Sequence, residues 1–366
     1  MTRDNIQEQA LQVTVGKSRC GLGLATGVGK TLVGLLHMED NSTPLMNVLV
    51  VAPKTAIINE WKAQAHKFNK EKLLENITFT TYLSLHKLDP NDYDLVYLDE
   101  CHSLLNSHRV FLENYKGGIL GLTGTPPKRK GTEKSDLVDE FCPIVYTYVT
   151  DDAVDAKILN DYKIIVHQLK LGTAKNVKVA TKGANFMTTE QANYAYWTNR
   201  IQTSNGGKSL QMARIMRMKA LMEYPTKEHY AKLLAGDITS KCIIFANTQE
   251  QADRLCNHSY HSNNQQSESN LEMFKAGRIS KLSCVLQLSE GVNIPNLKQG
   301  IILHAYGNER KSAQRIGRLL RLNPDDTAIV HILCYMDTID EKWVTEALEG
   351  YDQNKVMWKD YNVTIY

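Results

Sequence analysis

Short apolar runs recur along the chain at intervals that leave room for a helix between them. GLGLA (21–25), VLVVA (48–52), ITFTTY (77–82), DLVYLD (94–99) and GILGLT (118–123) fall in the first 150 residues. KIIVHQL (163–169), CIIFA (242–246), LSCVLQL (282–288), GIILH (300–304) and AIVHIL (328–333) follow. Their lengths suit buried strands. Between several of them the spacing becomes that of amphipathic helices, as in 55–68 and 248–257. Strands alternating with helices build parallel sheets covered on both faces. The expected fold class is α/β, in two domains: residues 1–150, and residues 151–366 with a basic, partly helical insertion at about 170–235. No repeat is visible at solenoid spacing. SNNQQSESN (262–270) is expected to be a loop, being too polar to pack.

Bulk composition changes this picture little. The 366 residues are 42% hydrophobic and 23% charged, which excludes a mostly disordered chain. No apolar run is long enough to span a bilayer, and the polar start MTRDNIQEQALQ lacks a signal-peptide core. A cytoplasmic protein without a membrane partner is expected. The seven cysteines are too widely spaced for a CxxC pair and read as reduced thiols. The distribution of charge says more than the net +3. Residues 156–220 hold 11 Lys/Arg against 2 Asp/Glu, with Phe186, Tyr194, Tyr196 and Trp197 among them. Such a mixture suits a phosphate backbone and stacked bases. It equally suits a solvated basic helix pair whose aromatics lie in the core.

Two stretches carry recognisable chemistry. LATGVGKT (24–31) follows an apolar run and opens a helical pattern. Thr26, Gly27, Val28 and Gly29 would turn backbone N–H groups toward an anion at the helix start. Lys30 would reach the outer phosphates and Thr31 would ligate Mg²⁺. The strict phosphate-loop pattern has glycine where this chain has Leu24, so a plain glycine-rich turn is the competing reading. DLVYLDECH ends a strand with Asp99 and Glu100. Asp99 suits Mg²⁺, and Glu100 suits orienting and deprotonating an attacking water. The competing reading is an acidic helix start. His102 is either a link to nucleotide state or a satisfied helix residue.

Phosphate loop plus Asp-Glu-Cys-His resembles the superfamily 2 helicases and translocases of the DExH type, and further motifs follow in that family's order. Gln7, in RDNIQEQA, resembles the adenine-reading glutamine. APKTAIINEW (52–61), with Pro53 and Lys54, and TTYLSL (80–85), with Thr81, resemble nucleic-acid-contacting motifs. LTGTP (122–126), with Thr123 and Thr125, resembles the motif that couples hydrolysis to movement; His102 joins it. IIFANTQEQADRL (243–255) resembles the first motif of a second motor domain. LSEGVNIP (288–295), with Gly291 and Asn293, and QRIGRLLR (314–321) resemble its last two. Helical geometry adds independent support in QRIGRLLR. Gln314, Arg318 and Arg321 share one face and Ile316, Leu319 and Leu320 the other, so the arginines can project together. Paired guanidiniums suit the charge that develops on a transferring γ-phosphoryl group.

The resemblance implies tandem RecA-like domains, with ATP and Mg²⁺ bound in the cleft between them. It implies ATP-dependent movement on nucleic acid. LTGTP and Cys101-His102 lean toward the DNA-acting branch, including phage-type branch-migration helicases and duplex translocases. The alternatives are an RNA helicase and a non-hydrolysing ATP-gated clamp. Lys208, Arg214 and Arg217, around a Gly-Gly turn in the basic stretch, are the expected additional grip, and Trp197 is either a stacking face or core. The chain starts almost at the glutamine motif, so no N-terminal wedge or accessory DNA-binding domain is expected. A viral or phage enzyme acting in the host cytoplasm, beside replication or recombination proteins, is the expected setting.

Overall fold

The computed structural model describes residues 2–127, 130–180, 185–285, 294–305 and 326–361. The chain divides into two compact units, with the division between Asn160 and Asp161.

In the first unit the order is α1 (Arg3–Gln12), β1 (Arg19–Leu24), α2 (Lys30–Asn41), β2 (Val48–Ala52), α3 (Thr55–Lys67), β3 (Ile77–Thr81) and β4 (Leu95–Asp99). Then come α4 (Arg109–Asn114), β5 (Gly118–Thr123), α5 (Glu133–Phe141), β6 (Ile144–Tyr148) and α6 (Thr150–Asp155). The strands form one parallel sheet in the order β3-β2-β4-β5-β1-β6. Helices cover both faces of such a sheet, so its central strands are apolar throughout. All five residues of β2 are buried. Leu49, Val51, Val96, Leu98 and Ile119 pack with Phe111, Leu112 and Phe141 in one core cluster. Register pairs Leu22 with Leu122 and Val51 with Leu98. The carboxyl ends of β1, β4 and β5 therefore share one edge, where ligands of parallel sheets collect.

The second unit opens with β7 (Asp161–Leu169), β8 (Val177–Ala180) and β9 (Asn185–Thr188), followed by α7 (Glu190–Gln202), α8 (Gly207–Glu223) and α9 (Pro225–Asp237). It continues through β10 (Cys242–Phe245), α10 (Gln249–Leu255), β11 (Ser259–Tyr260), α11 (Ser267–Lys275), β12 (Lys281–Cys284) and β13 (Gln299–Ile302). β14 (Thr327–Tyr335), α12 (Ile339–Leu348) and β15 (Val356–Tyr361) complete it. Its parallel sheet runs β11-β12-β10-β13-β14-β7-β15, while β8 and β9 pair as an antiparallel ribbon. β7 and β14 are in register from Asp161↔Thr327 to Leu169↔Tyr335. These are the two mainly parallel, helix-flanked sheets that tandem RecA-like domains require.

The basic stretch supplies β7, the ribbon and a helical hairpin of α7 and α8. Tyr224 Oη donates to Asn193 Oδ1 at 2.9 Å and Arg217 Nη1 to Thr198 Oγ1 at 3.3 Å, so the two helices run antiparallel. Gly206 and Gly207, both at positive φ, make the turn between them. Glu190, fully buried, fixes the hairpin's base by accepting from the backbone N–H of Gly172 and of Thr226, each at 2.8 Å.

One expectation is corrected. Part of the polar stretch 262–270 packs: α11 begins at Ser267, and Ser267 and Asn270 are buried. Ser267 Oγ donates to the His261 carbonyl at 2.7 Å, and Asn270 Nδ2 donates to the Ser259 carbonyl at 3.0 Å. Their side chains act as hydrogen-bond partners for a turning backbone, which makes burial of polar groups tolerable. All seven cysteines are free, and no helix among the described residues is long and apolar enough to cross a membrane.

Candidate functional site

The loop after β1 is tied from two sides and bonded once within itself. Ala25 N–H donates to the Tyr148 carbonyl at 2.9 Å, Val28 N–H to the Ala25 carbonyl at 3.2 Å, and Gln7 Nε2 to the Val28 carbonyl at 2.9 Å. Gly29 caps α2 at φ 104°, a left-handed conformation that disfavours any side chain. Its neighbour Gln7 is buried, and a Cβ on Gly29 would come within 2.5 Å of Gln7 Nε2. Gln7 therefore sits against the loop. Thr26, Gly27, Gly29, Lys30 and Thr31 are half-buried, with Val28 buried beneath them.

Lys30 Nζ lies 2.9 Å from Glu100 Oε1, joining the loop to the end of β4. Glu100 itself adopts φ 49°, an uncommon conformation for a residue with a side chain. Its second oxygen, Oε2, accepts from Gly124 N–H at 3.3 Å and lies 3.3 Å from His102 Nδ1. His102 Nδ1 is 2.7 Å from Thr123 Oγ1 and 3.5 Å from Thr125 Oγ1. Thr125 N–H also donates to Thr123 Oγ1 at 3.1 Å. The phosphate loop, the acidic pair, His102 and the Thr-Gly-Thr turn thus form one continuous polar network. Gly124 lets the turn approach, because a Cβ there would meet Lys30 Nζ at 2.7 Å and Thr26 Oγ1 at 3.0 Å.

Asp99 is buried, and both of its oxygens have partners. Oδ2 accepts from Trp61 Nε1 at 2.7 Å and Oδ1 from Glu100 N–H at 2.9 Å. Burial raises its carboxyl above the ordinary range, and the Glu100 charge adds to the rise. Glu100 goes the other way: burial opposes its charge, but the Lys30 ammonium, and then His102, hold its carboxyl below the usual value. Two adjacent carboxyls pushed apart in this manner are suited to different tasks. Trp61 and Tyr82, whose Oη donates to the Asp99 carbonyl at 3.0 Å, were not singled out by the motifs. Trp61 stands inside APKTAIINEW, yet a tryptophan ten residues into a contact motif gives no sign of reaching Asp99.

The residues expected to meet nucleic acid fall in two places. Pro53 and Thr81 end or follow the neighbouring strands β2 and β3, and Lys54, exposed, stands at the N-cap of α3. Lys208 and Arg214 are exposed on α8. Arg217 is half-buried instead, with its guanidinium over the Tyr194 ring at 5.5 Å and bonded to Thr198. Trp197 is half-buried and meets Tyr196 edge-on at 5.0 Å. Gly291, Asn293, Gln314, Arg318 and Arg321 lie outside the described residues.

A phosphate loop opening a helix, bonded to an acidic pair at the end of the next strand but one in the same sheet, defines a P-loop nucleotide hydrolase. Comparison with known proteins narrows the class. The model of the type III restriction enzyme res subunit matches residues 1–128, and that of the helicase conserved C-terminal domain matches residues 226–323. The chain belongs to the superfamily 2 helicases and is an ATP hydrolase. It is 23% identical over 361 residues to the DNA 3′-5′ translocase XPB2 of Sulfurisphaera tokodaii, covering 89% of this chain and 80% of that protein. Its fold is similar to a fragment assigned as the HsdR subunit of a type I restriction enzyme from Vibrio vulnificus. That likeness has a TM-score of 0.63 at 18% identity and covers 99% of this chain and 68% of the other. It is similar also to Dbp5 of S. cerevisiae bound to RNA and ADP BeF3, with a TM-score of 0.59 at 14% identity, over 97% of this chain and 89% of that one. Neither family model reaches residues 129–225, which include the α7–α8 hairpin.

Proposed function

We propose that the chain is an ATP-dependent DNA helicase or translocase that moves on, or remodels, duplex or branched DNA. The observation that carries the reading is the network Lys30–Glu100–His102–Thr123. It ties the phosphate loop to the Thr-Gly-Thr turn within hydrogen-bond distance at each step. In this reading the backbone of Thr26 to Gly29 holds the phosphates and Gln7 reads the adenine. Lys30 neutralises the outer phosphates, and Glu100 orients the water and takes its proton. Gly291 and Asn293 contribute to nucleotide binding. Gln314, Arg318 and Arg321 stabilise charge on the transferring phosphoryl group. His102, Thr123 and Thr125 pass the state of Glu100 to the turn.

An oxygen donor set suits Mg²⁺, and the Thr31 hydroxyl in the first turn of α2 and the Asp99 carboxylate would hold it. The ion would neutralise phosphate charge. Pro53, Lys54 and Thr81 grip the nucleic-acid backbone from the strand ends. Lys208 and Arg214 add a second grip on a helix outside both family models, with Arg217 bracing that helix. DNA is favoured over RNA by the Thr-Gly-Thr turn and by the relative named as a DNA translocase. A phage-type branch-migration enzyme working beside replication or recombination proteins is the finer form of this proposal. The test is phosphate release without nucleic acid and with duplex DNA, forked DNA or RNA. Stimulation by duplex or forked DNA is expected. Stimulation by RNA alone would move the substrate class, and no release under any condition would remove the motor.

A further inference from the structure

A carboxylate that holds a metal works only if its oxygens are aimed, and in this chain one aiming group comes from α3. Trp61 is fully buried, and its indole Nε1 donates to Asp99 Oδ2 at 2.7 Å. The ring is itself fixed. Tyr97 meets it edge-on with centroids 6.2 Å apart, and Tyr97 Oη lies 2.9 Å from His37 Nδ1. On the other side a Cβ on Gly34 would overlap the far edge of the ring, so α2 leaves a slot for the indole at Gly34. An indole N–H has one proton to give and no lone pair to offer. It can orient a carboxylate but cannot replace it as a ligand.

We propose that Trp61 is a positioning residue for the metal carboxylate, holding Asp99 Oδ2 so that Mg²⁺ is met in one geometry. The proposal rests on the reading of Asp99 as that carboxylate. Outer partners of metal ligands fix ligand orientation, and their loss typically weakens metal affinity or activity by about 10–100-fold. The amphipathic pattern of α3 conceals the role, since a tryptophan on its inner face serves equally well as plain core.

The test compares Trp61→Phe, which keeps an aromatic ring, with replacement of Trp61 by 3-benzothienylalanine, which keeps the indole shape and exchanges N–H for sulfur. A fluorescent ATP analogue is titrated into each full-length protein with Mg²⁺ and with EDTA, beside thermal melting. The expected result is a gain in affinity from Mg²⁺ that is about tenfold smaller in both variants, with affinity in EDTA unchanged. The benzothienyl protein should melt near the parent temperature, so a packing defect in Trp61→Phe leaves the result readable. An undiminished Mg²⁺ effect in the folded benzothienyl protein overturns the proposal. Asp99→Asn separates the two readings. If it retains the full Mg²⁺ effect, the metal role of Asp99 fails. If it loses the effect while the benzothienyl protein keeps it, only the role of Trp61 fails.

Discussion

The carboxyl edge of the first sheet and the α7–α8 hairpin of the second unit both carry charged groups, and they use them in opposite ways. At the sheet edge Lys30, Asp99, Glu100 and His102 are largely withdrawn from water, each within reach of a named partner. On the hairpin Lys208 and Arg214 stand in solvent, and Tyr196 and Met212 of the same two helices are more than half exposed. The first arrangement fixes charges relative to one another, as a chemical step requires. The second leaves charges in solvent, an arrangement that suits contact with a polyanion, whose attraction needs proximity rather than fixed geometry. Arg217 is the instructive exception. It belongs to the hairpin but behaves like the interior, stacked on Tyr194 and bonded to Thr198.

The contrast can be broken at its strongest point first. Glu100→Gln should lower ATP turnover by roughly 10²–10⁴-fold, since an amide cannot take the proton, while nucleotide affinity falls little. Near-normal turnover in that variant would end the catalytic assignment. Lys30→Ala should weaken nucleotide binding as well, because it removes charge facing the outer phosphates, and equilibrium titration measures the loss. On the hairpin, Lys208→Glu with Arg214→Glu should weaken DNA binding and lower its salt slope by about one unit per lost phosphate contact. An unchanged slope in the folded double variant would make the hairpin a scaffold. Arg217→Ala should instead lower stability by about 1 kcal/mol through the lost cation–π and hydrogen-bond contacts, read by urea denaturation.

A separate, pH-dependent effect concerns the second unit's interior, where His167 Nε2 lies 2.9 Å from His331 Nδ1, Tyr230 Oη lies 2.8 Å from His167 Nδ1, and Gln299 Oε1 lies 3.0 Å from His331 Nε2. Burial pushes both imidazoles down, His167 to about 3 and His331 to about 4. Below pH 6.5 the unfolded chain therefore binds more protons than the folded one. The stability these groups contribute is complete above 6.5 and is lost as pH falls toward 4. A urea series should show a loss on the order of 2 kcal/mol per imidazole by pH 5, and His331→Gln should roughly halve the total.

Much of the sheet edge was legible because phosphate binding constrains the backbone. Gly29 needs a left-handed conformation, and Lys30 and Glu100 must follow fixed structural landmarks, so short motifs betray them. The buried strands were legible for a similar reason, as in the unbroken apolar run of β2. β6 and β15 were not, because edge strands need no continuous apolar run: Ile144 to Tyr146 are only half-buried, and Met357 to Asp360 are exposed. Trp61 and Glu190 were hidden differently. Each acts across a long sequence separation, on Asp99 and on Thr226, and helical periodicity is silent about such contacts.

The central claim is that hydrolysis at Glu100 drives movement along DNA. Displacement of a fluorescent third strand from a triplex on linear duplex DNA tests it most directly, comparing the parent protein with Glu100→Gln. The account predicts displacement by the parent with ATP, none with a non-hydrolysable analogue, and none by Glu100→Gln although that variant still binds ATP and DNA. Equal displacement by both proteins, or by the parent with the analogue, would contradict it.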